Sequence, residues 1–282
     1  MTKNILVLLR VKDWLKNIVI LFPILFSSQL FNTFHYANLL IGFLSFSILS
    51  SFVYVLNDII DVKNDKNHPL KRLQKPLANG MIQLRTAYIL IIFLFLTTLI
   101  FIYFFPILRL SLLFYLFLSL IYNFGIKKVP YLEIIILSLG YVVRTDCGSR
   151  IISVESSTLM LIAVFSIGIF FILLKRFSEL NLNIDLVNRP TRNVLNYYNK
   201  NTINFFTVIS LIVLSIVFII YIFLVNYLLI ICFLLIIFFL LRYFLLVKDT
   251  HNAENPISFI LSNKLLLIIA LLVLFSSLII YL

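Results

Sequence analysis

"VLNDIIDVKNDKNHPLKRLQKPLANG", residues 55–80, interrupts a chain that is otherwise mostly apolar. Of the 11 acidic residues in the whole chain, Asp58, Asp61 and Asp65 fall together here. No proline separates Asn57 from Asn67, so the helix expected of the preceding apolar run can continue through the acids. On a helix Asn57, Asp61 and Asp65, at i, i+4 and i+8, share one face and drift by about 40° per step. Asp58 lies beside them, so four oxygen-bearing side chains converge. Carboxylates held this close repel one another unless a cation stands between them. Oxygen ligands without histidine suit a hard ion such as Mg2+, which completes its shell with water and substrate phosphate. Solvation of helix-end charges by lipid headgroups is the plainer alternative, since polar groups at a membrane interface are cheap. It leaves the spacing unexplained.

The residues that follow are basic. His68, Lys71, Arg72 and Lys75 come directly after the acids, and Pro69 is expected to break the helix and let the chain turn back over them. Cations beside a metal-binding carboxylate cluster suit a polyanion such as a diphosphate. His68 taken alone reads equally as a headgroup contact. Asn79-Gly80 predicts a turn before the next apolar run.

Outward from this stretch the chain is oil. Of its 282 residues, 62% are hydrophobic and 12% charged, with a mean hydropathy of +1.12. A soluble protein of that length could not hide so much apolar surface, so the solvent is a bilayer. Nine runs are candidate spans, at roughly 15–31, 38–57, 87–106, 109–124, 131–149, 158–175, 203–222, 226–246 and 264–282. The expected fold is all-α: a polytopic membrane helical bundle of about nine helices, one domain over 1–282, with catalytic loops at about 57–86 and 175–202. No cleavable signal pattern is expected in the basic, mixed N-terminal segment.

The net charge of +12 would suggest nucleic acid in a soluble domain. Here the basic residues sit between apolar runs, which points to topology and phosphate binding and away from nucleic acid. With nine spans, one side would hold the N-terminal segment and all the large basic loops, and Arg109, Arg144 and Arg150 alone fall elsewhere. That asymmetry predicts a cell-membrane protein with its N-terminus and site loops in the cytoplasm. Cys147 and Cys232 lie far apart and make no metal-ligand spacing, so they read as small buried side chains.

"NDIIDVKND" resembles the N-D-x-x-D-x-x-x-D motif of the UbiA superfamily of intramembrane prenyltransferases. The longer string through Gly80 is similar to the decaprenyl-phosphate phosphoribosyltransferase branch of that superfamily. So are "LLRVKDWLKN", with Arg10, Trp14, Lys16 and Asn17 at matching positions, "YNFGIKKVPYLE", "GYVVR" and "LLKRFSEL". The resemblance implies a UbiA-like fold and a magnesium-dependent transfer of 5-phosphoribose from phosphoribosyl diphosphate to a polyprenyl phosphate. It also implies Asp58, Asp61 and Asp65 as catalytic metal carboxylates and Asn17 as part of the substrate site. Three places depart from the branch: Glu133 stands for the usual Asp, "RTDCGSR" replaces a small apolar stretch, and Asn263 occupies an expected acidic position.

The wider superfamily carries a second acidic pair, D-x-x-x-D, after its sixth span. The corresponding loop here has Glu179 and Asp185 without that spacing, and Lys175, Arg176, Arg189, Arg192 and Lys200 around them. One acidic, metal-binding pole facing a basic pole suits two anions, a metal-bound diphosphate and a lipid phosphate held by Lys16, Lys175 and Arg176. It suits an aromatic acceptor less well. Lys175 and Arg176 can also be read as snorkelling anchors, and Glu179 as the i+4 helix partner of Lys175. Tyr122 reads as interfacial belt or substrate contact, and Lys127 as topogenic or substrate-binding. Arg144, deep in an apolar run near Asp146, is either a substrate contact or half of a structural pair. Two other functions stay open: transfer of an isoprenoid from its diphosphate to an aromatic or quinone precursor, and transport of a lipid phosphate.

Overall fold

A computed structural model describes residues 2–67, 69–186, 193–250 and 256–281. Every regular element among them is helical. The chain opens with α1 (Thr2–Leu8), a 3-10 helix over Val11–Leu21 and the single turn α2 (Phe22–Leu25). α3 (Phe34–Lys66), α4 (Pro69–Gln74), α5 (Leu84–Phe104), α6 (Pro106–Phe124) and α7 (Leu132–Ile151) follow. The rest comprises α8 (Thr158–Leu186), α9 (Lys200–Leu224), α10 (Leu229–Thr250), α11 (Pro256–Ser262) and α12 (Lys264–Tyr281).

Six of these helices are long and apolar enough to cross a bilayer, the stretches Phe34–Lys66, Leu84–Phe104, Pro106–Phe124, Thr158–Asn181, Lys200–Leu224 and Leu229–Lys248. The other three expected spans are helical but less regular. The 15–31 run is broken between the 3-10 helix and α2, with Pro23 at the junction. α7 is 20 residues long but carries Glu133, Arg144, Asp146 and Arg150. The last run forms α12, whose apolar part, Lys264–Ser277, is short.

Length is what places the site. α3 has 33 residues, or about 50 Å at 1.5 Å per residue, against a hydrocarbon core of about 30 Å. The helix therefore carries its acidic end well beyond the apolar slab. α8, with 29 residues, likewise extends past its apolar stretch through Lys175, Arg176 and Glu179. Two buried clusters hold the bundle. Phe46, Leu49 and Val55 of α3 pack with Leu94 of α5, Leu108 and Leu112 of α6 and Cys147 of α7. Phe170, Leu173 and Leu174 of α8 pack with Ile203, Leu214, Leu240 and Tyr243. α7 touches both groups, through Val143 and Ile151 on one side and Ile134 on the other.

The 3-10 segment is pinned to α3 and α7 by polar contacts. Trp14 Nε1 donates to Ser51 Oγ at 2.9 Å, and Asn17 Nδ2 donates to Ser47 Oγ at 3.0 Å. It also passes close to Gly148 of α7, where an added Cβ would fall onto the backbone carbonyl of Ile20. Gly148→Ala should therefore lower stability by about 2 kcal/mol or prevent folding. Gly125→Ala, where a methyl meets open space, is the control. Heating both variants in detergent and following loss of the monodisperse peak checks this; equal midpoints would contradict the packing.

Candidate active site

The helix does run through the acids, and it ends at Lys66, just before Pro69, which opens α4. α4 leads to a turn over residues 76–80 in which Gly80 takes φ +81° and Met81 N–H donates to Asn79 Oδ1 at 2.9 Å. This return brings Lys75 onto the acidic helix. Lys75 Nζ lies 2.8 Å from Asp58 Oδ1 and 2.6 Å from Asp65 Oδ2. Lys127, from the turn between α6 and α7, donates to both oxygens of Asp61 at 2.8 and 2.9 Å and to Asn57 Oδ1 at 3.2 Å. Arg10 approaches Asp58 at 3.2 Å, with its guanidinium 4.6 Å from the centre of the Tyr54 ring. Arg10 has a left-handed backbone, φ 50° and ψ 47°, where α1 hands over to the 3-10 helix.

The four ligands expected to form one ring thus stand as two pairs, Asp58 with Asp65 around Lys75 and Asn57 with Asp61 around Lys127. Helical geometry accounts for the pairing: residues seven apart differ by only about 20° around the axis, so Asp58 and Asp65 lie closer to one line than Asp61 and Asp65 do. Asp58 and Asp65 are buried, whereas the Asp61 side chain keeps 26% of its surface exposed. Among the described residues no three His, Cys, Asp or Glu side chains already form a metal cage. The donor chemistry nonetheless fits a hard divalent ion. The donors are oxygens only, and each pair already converges on a cationic nitrogen.

A second polar centre lies at the start of α7. Arg176 Nε and Nη2 donate to the two oxygens of Glu133 at 2.6 and 2.7 Å, and Nη1 donates to Glu179 at 2.6 Å. The Tyr198 hydroxyl donates to Glu133 at 3.2 Å and accepts from the Tyr131 backbone N–H at 2.9 Å. Burial, and then the Glu133 carboxylate, push the pKa of that hydroxyl well above its ordinary value, so it stays a donor. Arg176 is 1% exposed with all three guanidinium nitrogens on carboxylates. This replaces its expected place on a lipid phosphate: the guanidinium is turned inward as the cation of a buried acidic pair.

Arg144 forms a third polar centre. It donates to Asn17 Oδ1 at 2.6 Å, to the Gly140 carbonyl at 2.6 Å and to the Tyr115 hydroxyl at 2.7 Å. Asp146 is not its partner; that carboxylate accepts from Arg150 at 2.7 Å and Ser156 at 2.6 Å. Asn17, buried between Ser47 and Arg144, ties the 3-10 helix to α3 and α7 and lies away from the acidic end. Lys16 pairs with Asp13 at 2.7 Å. Arg72 is exposed on α4, while Tyr122 near the end of α6 and Lys175 in the second half of α8 are half-buried. His68 lies outside the described residues, as does the side chain of Lys71.

Sequence reasoning did not find the Arg10–Asp58 contact, the Glu133–Arg176 pair or Tyr198. A carboxylate at position 133 and an arginine at 176, both beside apolar runs, were the available signal: two opposite charges that each need a buried partner.

The sequence model of the UbiA prenyltransferase family matches residues 20–268. A decaprenyl-phosphate phosphoribosyltransferase of Mycobacterium tuberculosis is 31% identical over 179 residues, 62% of this chain and 59% of that protein. One of Mycolicibacterium smegmatis is 27% identical over 206 residues, 71% of this chain and 64% of that protein. The matches thus span about three fifths of the length of these curated relatives. A UbiA homolog from Archaeoglobus fulgidus, solved bound to DMAPP and Mg2+, superposes with a TM-score of 0.70 over 99% of both chains at 19% identity, a likeness of fold. A family match over most of the length, on a bundle with six apolar spans, carries the conclusion: this is a membrane protein, and the chain belongs to the UbiA prenyltransferase family.

Proposed function

We propose that the protein transfers 5-phosphoribose from phosphoribosyl diphosphate to a polyprenyl phosphate and releases diphosphate. The observation that carries this reading is the pairing of Glu179 with Arg176 at 2.6 Å. The stretch from Lys175 to Lys200 carries no D-x-x-x-D pair, and Glu179, on α8, is engaged with a buried arginine. One acidic pole is then left for a metal-bound diphosphate, with basic residues around it for a second anion. The curated relatives named for this reaction support the same choice.

Asn57, Asp58, Asp61 and Asp65 would hold Mg2+, which when bound supplies charge neutralisation for the departing diphosphate. Lys75, Lys127, Arg10 and Arg72 add positive charge around the diphosphate oxygens. As the bond from the anomeric carbon to diphosphate stretches, positive charge spreads onto the ring oxygen, as in glycosyl transfer generally. The lipid phosphate attacks that carbon from the opposite face. It is already anionic near neutral pH, so no strong general base is needed. Lys16 and Lys175 would hold it at the headgroup plane, with the isoprenoid tail between spans. Catalysis is then chiefly positioning and stabilisation of the departing charge. The asymmetry of the basic loops supports a site on the cytoplasmic face of the cell membrane.

The test is mass spectrometry of lipids after purified protein is given polyprenyl phosphate with phosphoribosyl diphosphate, and separately a prenyl diphosphate with an aromatic acceptor. A polyprenyl-phosphate phosphoribose is expected from the first. A prenylated aromatic with no phosphoribosyl lipid would replace this reading with the isoprenoid-transfer one.

A further inference from the structure

We infer that Lys75 and Lys127 are resident counter-ions of the acidic site, and that they make divalent-ion binding depend on an accompanying diphosphate. The inference rests on the magnesium–diphosphate reading above and concerns how that site is filled. Lys75 bridges two nearly buried carboxylates, whose side chains are 4% and 5% exposed, at 2.8 and 2.6 Å. Lys127 covers both oxygens of Asp61 and reaches Asn57 as well. With Arg10 on Asp58, three cations among the described residues face these three carboxylates.

A bare divalent ion entering here meets ammonium groups already seated on its ligands. It must push them off the carboxylates while adding positive charge beside them, with no anion to receive them. A diphosphate arriving with the ion changes the exchange: each displaced ammonium finds phosphate oxygens, and the ion finds the vacated carboxylates. The lysines can make this move because neither belongs to α3. Lys75 sits between α4 and a turn, and Lys127 sits in the connection between α6 and α7. Ion and diphosphate then strengthen each other's binding through the lysines, and linkage requires the effect to be mutual. The lysines thereby select the metal–diphosphate complex over the free ion.

The experiment measures Mn2+ binding to the full chain in nanodiscs, by loss of the free Mn2+ electron paramagnetic resonance signal, with and without methylenediphosphonate. Lys75→Gln and Lys127→Gln are compared with wild type and with Lys128→Gln. Lys128 is an exposed neighbour, so its variant makes the same charge change away from these contacts. Mn2+ alone should bind about tenfold tighter to the Lys75 and Lys127 variants than to wild type, and methylenediphosphonate should help them less. The Lys128 variant should match wild type. If wild type takes Mn2+ with methylenediphosphonate but neither variant binds free Mn2+ more tightly than Lys128→Gln, the counter-ion role is wrong and the site reading stands. If wild type takes no Mn2+ under either condition, both fall. The two lysines come from different segments, so failure of one variant to fold leaves the other to decide.

Discussion

Arg176→Met should destabilise the protein by about 3–5 kcal/mol, the usual effect of removing one partner from a buried ion pair. The reason is the state of what remains. Glu133, 0% exposed, and Glu179, 11% exposed, would be left facing each other without the guanidinium that now sits within 2.6–2.7 Å of both. The loss ties three elements together, because Glu133 starts α7, Arg176 and Glu179 lie on α8, and Tyr198 follows the short 3-10 turn at Asn193–Tyr197. Adding Glu133→Leu to Arg176→Met should recover part of the stability, since replacing a buried charge pair by apolar groups is often close to neutral. Thermal loss of the monodisperse peak in detergent reads both. A double variant no more stable than Arg176→Met would show that the carboxylate is not the source of the damage. An Arg176→Met protein with wild-type stability would remove the triad as a structural element altogether.

The second large effect belongs to the acidic end of α3. Asp61→Asn keeps the shape of the side chain and one acceptor oxygen but removes the charge that faces Lys127. On the proposed reaction it should lower turnover at least about 100-fold, or a few kcal/mol of barrier, the scale seen when one stabilising group is taken from a charge-separating transition state. Its effect on folding should be small by comparison, because Asp61 is the more exposed of the three aspartates. Purified membranes and labelled phosphoribosyl diphosphate suffice for the measurement. Undiminished turnover would refute a metal-ligand role for Asp61.

Much of the acidic site was legible in the sequence because helix spacing and a proline decide it locally. Asn57 through Asp65 needed only a continuous helix, and Pro69 only its missing N–H, to give the acid-then-return arrangement. The pairing within the cluster was not legible. It depends on Lys127, 66 residues from Asp61, and on Arg10, 48 residues from Asp58, and no local rule carries over those separations. The same limit hid Glu133 from Arg176 and Asn17 from Arg144, which are 43 and 127 residues apart. The first apolar run misled for another reason. Composition says that it lies in the membrane, but the run is divided between a 3-10 helix and α2, with Pro23 near its middle.

The acids ride on an unbroken rod, while their cations arrive on separate tethers. From Phe34 to Lys66 α3 runs as one continuous helix. Its carboxylates are therefore fixed in depth and azimuth by the packing of Phe46, Leu49 and Val55 many ångströms away. On the proposed reading, rearrangement on binding is expected at Arg10, Lys75 and Lys127, which lie off α3. The proposed exchange of cations therefore asks for repositioning of side chains at Arg10, Lys75 and Lys127, while the carboxylates share one helix as a common base.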